Sequence, residues 1–342
     1  MNESSRIRRR RSAAALGSEA ASQRAAALPA TEACRVQAEA SRRTDRQVRL
    51  LGQPQLQSHL EFVAKKVVGG ADLDRSAVAD AWRAANDYYY KLEQTEAGLA
   101  DGMVIGPLDP ELAPLVAEVE RDPRFRNTFD TLPVSFGMVE LDRLVLYQKH
   151  VNLPFAERLR HRIGASPEPE TLFRFCHPLG VPDVPVRVQR HGSRRYVFIS
   201  ESSDFRFHES VLLQPGQIDG YASFGPIGGI VGLVAGFGSN FLNVISDGNR
   251  LLLSNGYHRA YALRSNGITH APCVIEHVTR KDELALVAHE DVIEDPAFFF
   301  RAARPPLLKD FFDPQIATVF ETYKIVRIVD FSFEVRDYEV VE

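Results

Sequence analysis

The clearest hydrophobic pattern lies between residues 240 and 278, where short apolar runs alternate with turn residues. Phe241 to Ile245 and Leu251 to Leu253 are apolar, and each run predicts a short strand. Asp247-Gly248-Asn249 separates the two runs and is typical of a tight turn. The pattern therefore predicts a β-hairpin.

A helix is predicted directly after this hairpin. Ser254-Asn255-Gly256 opens the helix, Gly267 ends it, and Ile268 to Ile275 predicts another strand. The first helical turn carries Tyr257, His258 and Arg259. A helix N-terminus attracts anions, glycine lets an oxyanion approach the backbone, and arginine adds a forked pair of donors. The segment therefore predicts an anion site.

Residues 47–130 predict an N-terminal helical subdomain. Apolar residues recur there at helical spacing, namely Leu56, Leu60, Val63 and Val67. Asp72 or Asp74 is a suitable N-cap for a long helix that runs to Glu96, and Glu111 to Glu120 predicts a short one.

Two further segments show mixed patterns. In residues 154–219, Ala156 to Ile163 predicts a helix, and the five prolines between residues 167 and 185 predict an irregular path around three short strands. The predicted strands are Val186–Val188, Tyr196–Ile199 and Val211–Leu213. Near the C-terminus, residues 284–292 predict a helix and residues 324–341 predict a strand or a strand pair.

A glycine-rich stretch from Gly216 to Gly238 contains Asp219 and no other charged residue. Its Gly228, Gly232 and Gly236 are four residues apart, which is also the spacing of membrane helix-packing faces. The apolar part is shorter than the ~20 residues that a span needs. We therefore expect a packed helix or a loop near the anion site.

Composition narrows the class of protein. The chain has 342 residues, 44% of them hydrophobic, and a net charge of −4. Residues 1–50 have a net charge of +6, so the remainder carries −10, which disfavours nucleic acid as a partner. The three cysteines do not have the number or spacing of a disulfide framework, so a reducing, cytoplasmic location is expected. Residues 1–46 are rich in Ala, Ser and Arg, and predict a disordered tail.

The pattern around the predicted anion site resembles the ParB/sulfiredoxin-like superfamily. Members share a strand pair, a Gly-x-x-Arg-x-x-Ala loop and helix, a glycine and a further strand. Those positions are held here by Gly256, Arg259, Ala262, Gly267 and Pro272. Met138 to Val145 has the form of the family's first strand, and Ile227 to Gly236 suits its helix that ends in glycine. The resemblance covers about residues 136–280.

This resemblance implies an α+β fold with a small mixed-sheet core. The core domain would span residues 131–280, with an insertion at about 154–219. The helical subdomain at residues 47–130 would precede it, and a C-terminal strand extension at residues 281–342 would follow.

The loop residues distinguish between branches of the superfamily. Sulfiredoxins have a reactive cysteine where this chain has Tyr257, and a phenol cannot replace that thiolate. Partition proteins have arginine where this chain has His258. The Gly-x-His-Arg form is nearest to the small-molecule kinases of the superfamily, which implies ATP or another NTP, Mg²⁺ and a small-molecule substrate.

A phosphotransferase or nucleotide hydrolase is therefore expected, with its phosphate-binding residues at the start of the helix. Those residues are Ser254, Asn255, Gly256, Tyr257, His258 and Arg259. The candidate catalytic residues are His258, Glu140 and Asp142, with Glu209 and Asp219 as further carboxylates. No motif identifies the metal ligands. The acidic cluster at residues 289–295 is interpreted as solvated helix-end charge.

Two alternatives remain open at this point. One is a non-catalytic nucleotide-binding regulatory protein on the same scaffold. The other is a ParB-like protein that acts on nucleic acid, which the acidic charge and the lack of a basic recognition helix disfavour. No membrane partner is expected, and the pattern does not indicate an oligomeric state.

Overall fold

The computed structural model describes residues 43–53, 55–180, 184–202, 204–220 and 224–341. The fold is α+β, as predicted, with helices packed around mixed sheets. Most of the tail predicted for residues 1–46 lies outside the described residues.

The central element is a five-stranded mixed sheet in the order β2-β11-β9-β10-β3. Its strands are β2 (Val134–Glu140), β3 (Val145–Leu146), β9 (Asn243–Ser246), β10 (Leu251–Asn255) and β11 (His270–His277). β9 and β10 are antiparallel, β11 is parallel to β9, and β2 is antiparallel to β11. The predicted hairpin and the strand after it are therefore confirmed.

Both faces of this sheet are buried, which explains its nearly continuous apolar strands. Val244 and Leu253 lie on one face and pack with α5 (Leu153–Ile163) and α7 (Tyr257–Ser265). Ile245 and Leu252 lie on the opposite face, against helices near the C-terminus. Those helices are α8 (Lys281–Val287), α9 (Glu290–Glu294) and α10 (Pro296–Phe300).

A second sheet has three antiparallel strands in the order β12-β1-β4. They are β1 (Thr44–Leu50), β4 (His150–Asn152) and β12 (Ala317–Tyr323). The prediction that residues 47–50 are helical is therefore wrong, because β12 supplies a pairing partner that local pattern does not show. The predicted domain boundaries stay predictions.

The remaining helices of residues 47–130 agree with the pattern. They are α1 (Leu56–Lys66), α2 (Arg75–Glu96), α3 (Ala113–Arg121) and α4 (Pro123–Thr128). Asp74 caps α2 by accepting a hydrogen bond from the Ser76 N–H at 2.9 Å. Of the two predicted caps, Asp74 is thus the one that the structure uses.

Residues 154–219 contain one helix that was not predicted, α6 (Pro169–Cys176). Proline was interpreted as a sign of irregular structure, but Pro169 is the first residue of this helix, a position where proline is compatible with helical geometry. β5 (Val186–His191) and β6 (Arg195–Ser200) contain two of the predicted strands and pair antiparallel, and β13 (Arg327–Ser332) pairs with β6. Residues 284–292 are divided between α8 and α9, so the single predicted helix is wrong.

The second half of the glycine-rich stretch forms a strand instead of the expected helix or loop. β8 (Ile230–Phe237) pairs antiparallel with β7 (Phe205–Leu213) in a two-stranded sheet. The helix predicted for Ile227 to Gly236 is therefore wrong. A Cβ on Gly232 would lie 3.0 Å from Val211 Cγ2, so the glycine leaves room for a side chain of the neighbouring strand. Among the described residues, no helix is long and apolar enough to cross a membrane.

Candidate functional site

The start of α7 depends on a glycine with a positive φ angle. Gly256 has φ +94°, and a Cβ at this position would lie 2.4 Å from Leu242 Cδ1. Its N–H donates to Asn255 Oδ1 at 2.7 Å, and its carbonyl accepts from the Ala260 N–H at 2.9 Å. Gly256 is therefore required by local packing and conformation, whether or not a ligand approaches it.

The first turn of α7 leaves three consecutive donors. The N–H groups of Tyr257, His258 and Arg259 precede the first intrahelical hydrogen bond, and no acceptor for them lies among the described residues. These donors and the positive end of the helix dipole together form an anion-attracting position. The predicted anion site would lie at this turn, and it stays a prediction.

Tyr257 serves the fold at this position. Its hydroxyl donates to the Leu253 carbonyl at 2.6 Å and accepts from the N–H groups of Tyr147 and Gln148 at 3.3 Å each. Burial raises its pKa well above the usual range. The phenol therefore remains protonated and joins β10 to the segment after β3.

His258 is neutral. Its Nε2 accepts a hydrogen bond from the Asn152 N–H at 3.0 Å, and its ring makes an edge contact with Phe155. Burial, followed by the influence of His150 and Arg259, lowers its pKa to about 3. Because Nε2 is the acceptor, the single proton of the neutral ring is on Nδ1, which is then a donor. His258 can donate a hydrogen bond to an anion but does not add a positive charge.

Arg259 points into the protein. It is 4% exposed, and its guanidinium donates to the Cys176 carbonyl at 2.9 Å, to the Asn240 carbonyl, and to Asn240 Oδ1 at 2.6 Å. Burial lowers its pKa to about 10, which still leaves it charged at neutral pH. The guanidinium therefore joins the end of α6 to the segment before β9, and its bonds are to protein acceptors.

The two predicted carboxylates lie at the opposite end of the same helix. Asp142 accepts from Arg264 Nε at 2.5 Å, and Arg264 is in the last turn of α7. Glu140 forms an ion pair with Arg143 at 3.5 Å. The first turn and Arg264 are about 10 Å apart along the helix axis, given a rise of ~1.5 Å per residue. Glu140 and Asp142 are therefore not grouped with His258.

Asn255 and Ser254 end β10 beside the helix start. Asn255 Nδ2 donates to the Ser239 carbonyl at 2.7 Å, and the Ser254 carbonyl accepts from the Tyr147 hydroxyl at 3.1 Å. Both residues are partly exposed, so they lie at the edge of the candidate site. Glu209 and Asp219, the other carboxylates considered, are exposed on β7 and in the loop after it.

Residues 147–152 contribute a group of polar side chains that sequence pattern does not identify. The Tyr147 ring stacks on His289 at 4.9 Å, and the Asp291 charge adds to burial in raising the pKa of Tyr147 to about 12. Burial lowers the pKa of Lys149 to about 8 and that of His150 to about 4. Tertiary packing alone brings these side chains and α9 close to α7. The sequence pattern around each of them therefore could not have predicted the group.

Mg²⁺, which the resemblance implies, has no preformed ligand set in the described part of the chain. No group of three or more His, Cys, Asp or Glu side chains there is arranged to hold a metal ion. Two surface cavities are not lined by residues 254–259, although Pro154 in the second lies between Asn152 and Phe155, which contact His258. One is lined by residues that include Leu108, Val116 and Phe136, and the other by residues that include Arg46, Pro154 and Glu321.

Comparison with protein-family models, with curated proteins and with solved structures finds no match for this chain.

Proposed function

We propose that the chain binds the phosphate groups of a nucleotide, ATP or another NTP, at the first turn of α7 and acts as a nucleotide-binding regulatory protein. The observation that supports the proposal most is the run of three N–H groups, from Tyr257 to Arg259, without an acceptor among the described residues. Helix N-termini of this kind bind phosphate through backbone donors and the helix dipole.

His258 would add a neutral donor to this arrangement. The backbone N–H of His258 is one of the three donors. Because side chains in a helix lean towards its N-terminus, the Nδ1–H of His258 would be directed towards the same anion. Arg259 would act indirectly, by fixing the segments that α7 contacts. Mg²⁺ would arrive with the nucleotide, since this ion commonly binds through phosphates and only one or two protein carboxylates.

A binding role is favoured over catalysis by the position of the carboxylates. Phosphoryl transfer needs a base or a residue that positions the nucleophile close to the terminal phosphate. Asp142 is paired with Arg264 in the last turn of α7, and Glu140, which lies opposite His270 of β11, is paired with Arg143. They are therefore too distant for that role.

Phosphotransfer to a small molecule is the second candidate, because one carboxylate does lie near the start of α7. The charge of Asp291 contributes to raising the pKa of Tyr257, and it also affects Tyr147. Asp291 is exposed and forms an ion contact with His289 at 3.6 Å. In an enzyme, Asp291 would be the base in place of Glu140 or Asp142.

Calorimetric titration of ATP, CTP and GTP with Mg²⁺ tests the binding proposal. The variant Asn255→Asp places a negative charge beside the helix start and keeps an oxygen for the Gly256 N–H. We expect its nucleotide affinity to fall on the order of tenfold or more, because like charges close together cost more than 1 kcal/mol. Asn127→Asp, on the exposed side of α4, makes the same change in net charge and should bind normally.

The proposal fails if no nucleotide binds to the wild type, or if Asn255→Asp and Asn127→Asp bind equally well. A nucleotide consumption assay with a metabolite panel then separates the two functions. Turnover that is lost in Asp291→Asn with binding retained would support the enzyme, and binding without turnover would support the regulatory protein.

A further inference from the structure

The hairpin of β7 and β8 exposes apolar side chains near its distal end. Leu212 and Val231 are directly opposite each other, and they are 72% and 71% exposed. Leu233, on the same face as Val231, and Val234, on the opposite face, are each 40% exposed. Contiguous apolar surface of this kind marks an interaction site in soluble proteins.

The two edges of the hairpin differ in their protection against pairing with another strand. β7 contains Arg206, His208 and Glu209, and its register shifts at His208, which is a β-bulge. Charges and bulges on an edge strand prevent unwanted pairing. On the same strand, Phe207 contacts Phe331 of β13, with 5.6 Å between ring centroids. The outer edge of β7 is therefore protected.

β8 has none of these protections. It is eight residues long, IVGLVAGF, without a charged residue, a proline or a register shift of its own. Its only pairing partner among the described strands is β7. The outer N–H and C=O groups of β8 therefore form an open pairing edge, which folded proteins normally avoid or use.

We propose that β8 pairs antiparallel with β8 of a second copy of this chain, which forms a four-stranded sheet across a two-fold axis. The uncharged edge is complementary to itself, because two identical copies bring no like charges together. Leu233 of each copy then lies beside Leu233 or Ala235 of the other copy, Val231 lies beside Ala235 or Phe237, and the facing sides of these side chains lose their contact with water. Because the outer edge of β7 is protected, the assembly closes at two copies.

A lipid surface does not suit this edge, although the stretch is apolar. In hydrocarbon the unpaired N–H and C=O groups of β8 would have no hydrogen-bond partner. A strand from a second copy satisfies these groups and covers the apolar side chains at the same time.

Sedimentation equilibrium of the full chain at micromolar concentrations tests the pairing. We expect a dimer for the wild type. V231K/L233K places four lysines along the shared edge, two of them beside the two-fold axis, and the dimer dissociation constant should rise on the order of a hundredfold, because like-charge contacts at an interface cost several kcal/mol. The matched control is Leu212→Lys, which has the same exposure and lies on the same face but on the protected strand, and it should stay dimeric.

Cysteine cross-linking keeps the proposal testable if the double variant does not fold. An antiparallel pair centred on β8 places the axis at Leu233 or Val234, so Leu233→Cys or Val234→Cys should form a disulfide-linked dimer under mild oxidation in a Cys34→Ser background. Leu212→Cys should not. A monomeric wild type, a dimer that V231K/L233K leaves intact, or vesicle binding that Leu212→Lys and V231K/L233K reduce equally would overturn the proposal.

Discussion

Arg259 illustrates how a residue in a ligand-type motif can serve the fold instead. Its acceptors, Cys176 and Asn240, are 83 and 19 residues from Arg259 along the chain; Cys176 is buried, whereas Asn240 is at the surface. A guanidinium that is buried without a carboxylate must be satisfied by such acceptors. Stability, more than ligand affinity, is therefore the property that this side chain controls.

Replacement of Arg259 with Ala should lower the free energy of unfolding by about 3 kcal/mol, because the buried Cys176 carbonyl and the two Asn240 oxygens lose a charged donor. Arg259→Lys should recover only part of this, because a single ammonium cannot reproduce the forked geometry. Urea denaturation measures both values. Unchanged stability in Arg259→Ala together with lost nucleotide binding would show that the arginine contacts the ligand.

The helix start was predictable from sequence, whereas the use of its side chains was not. Gly256, Tyr257 and the apolar runs before them carry local information about turn and helix. The partners of Arg259 and His258 are set by α6, β4 and the segment before β9. No local periodicity encodes those contacts. The motif therefore predicted where the helix begins but not which groups its side chains would bind.

At the scale of elements, one buried ion-pair group joins α2 to the turn at residues 308–312. Arg304 has a fully buried side chain and donates to Asp310 Oδ1 at 2.6 Å and Oδ2 at 3.0 Å, and to Glu96 Oε2 at 2.9 Å. Tyr89 of α2 also lies within hydrogen-bond distance of Asp310. This group holds α2 against the C-terminal part of the chain.

Loss of Arg304 should therefore be costly. We expect Arg304→Ala to lower the free energy of unfolding by about 3–5 kcal/mol, because Asp310 would remain buried without its partner. Arg301→Ala is the matched control, since Arg301 is 67% exposed and pairs with Asp247 at the surface. That substitution should cost less than about 1 kcal/mol. Equal losses in a chemical denaturation series would contradict the role assigned to Arg304.

The helix prediction for the glycine-rich stretch was wrong for a physical reason, which also concerns how elements pack together. Glycines at four-residue spacing are compatible with one helix face and equally with alternate positions of a strand. The second arrangement applies here, since Val211 and Leu213 of β7 occupy the space that side chains on Gly232 would fill. A strand whose packing depends on its neighbour's side chains cannot be recognised from its own composition.

For the whole molecule, buried histidines dominate the expected response to acid. Burial lowers the pKa of His59 and His150 to about 4, and that of His177 and His258 to about 3. The unfolded chain takes up protons near pH 6.5 and the folded chain does not. The stability that these neutral histidines contribute is therefore fully present above pH 6.5 and is lost as the pH falls towards their folded-state pKa values of about 4 and 3. Glu276 acts in the opposite direction, because burial raises its pKa to about 7.

His59→Phe isolates one part of this response. Each such histidine should make the free energy of unfolding about 2 kcal/mol lower at pH 5 than at pH 7. The variant should therefore reduce the difference in unfolding free energy between pH 7 and pH 5 by that amount, and phenylalanine suits the contacts of His59 with Phe62 and Phe320. His161→Phe, at an exposed position of α5, should leave the difference unchanged. An identical pH dependence in His59→Phe and the wild type would refute this assignment.

The pairing of β1 with β12 has a consequence for biosynthesis. Leu50 pairs with Ala317, about 270 positions further along the chain. At ~5–20 residues per second, a ribosome needs between about 10 and 60 s to complete the intervening segment. Through that interval, β1 emerges into the cell without its longest pairing partner. The sheet of β12, β1 and β4 therefore assembles late, and chaperones that shield an unpaired strand would act on β1 first.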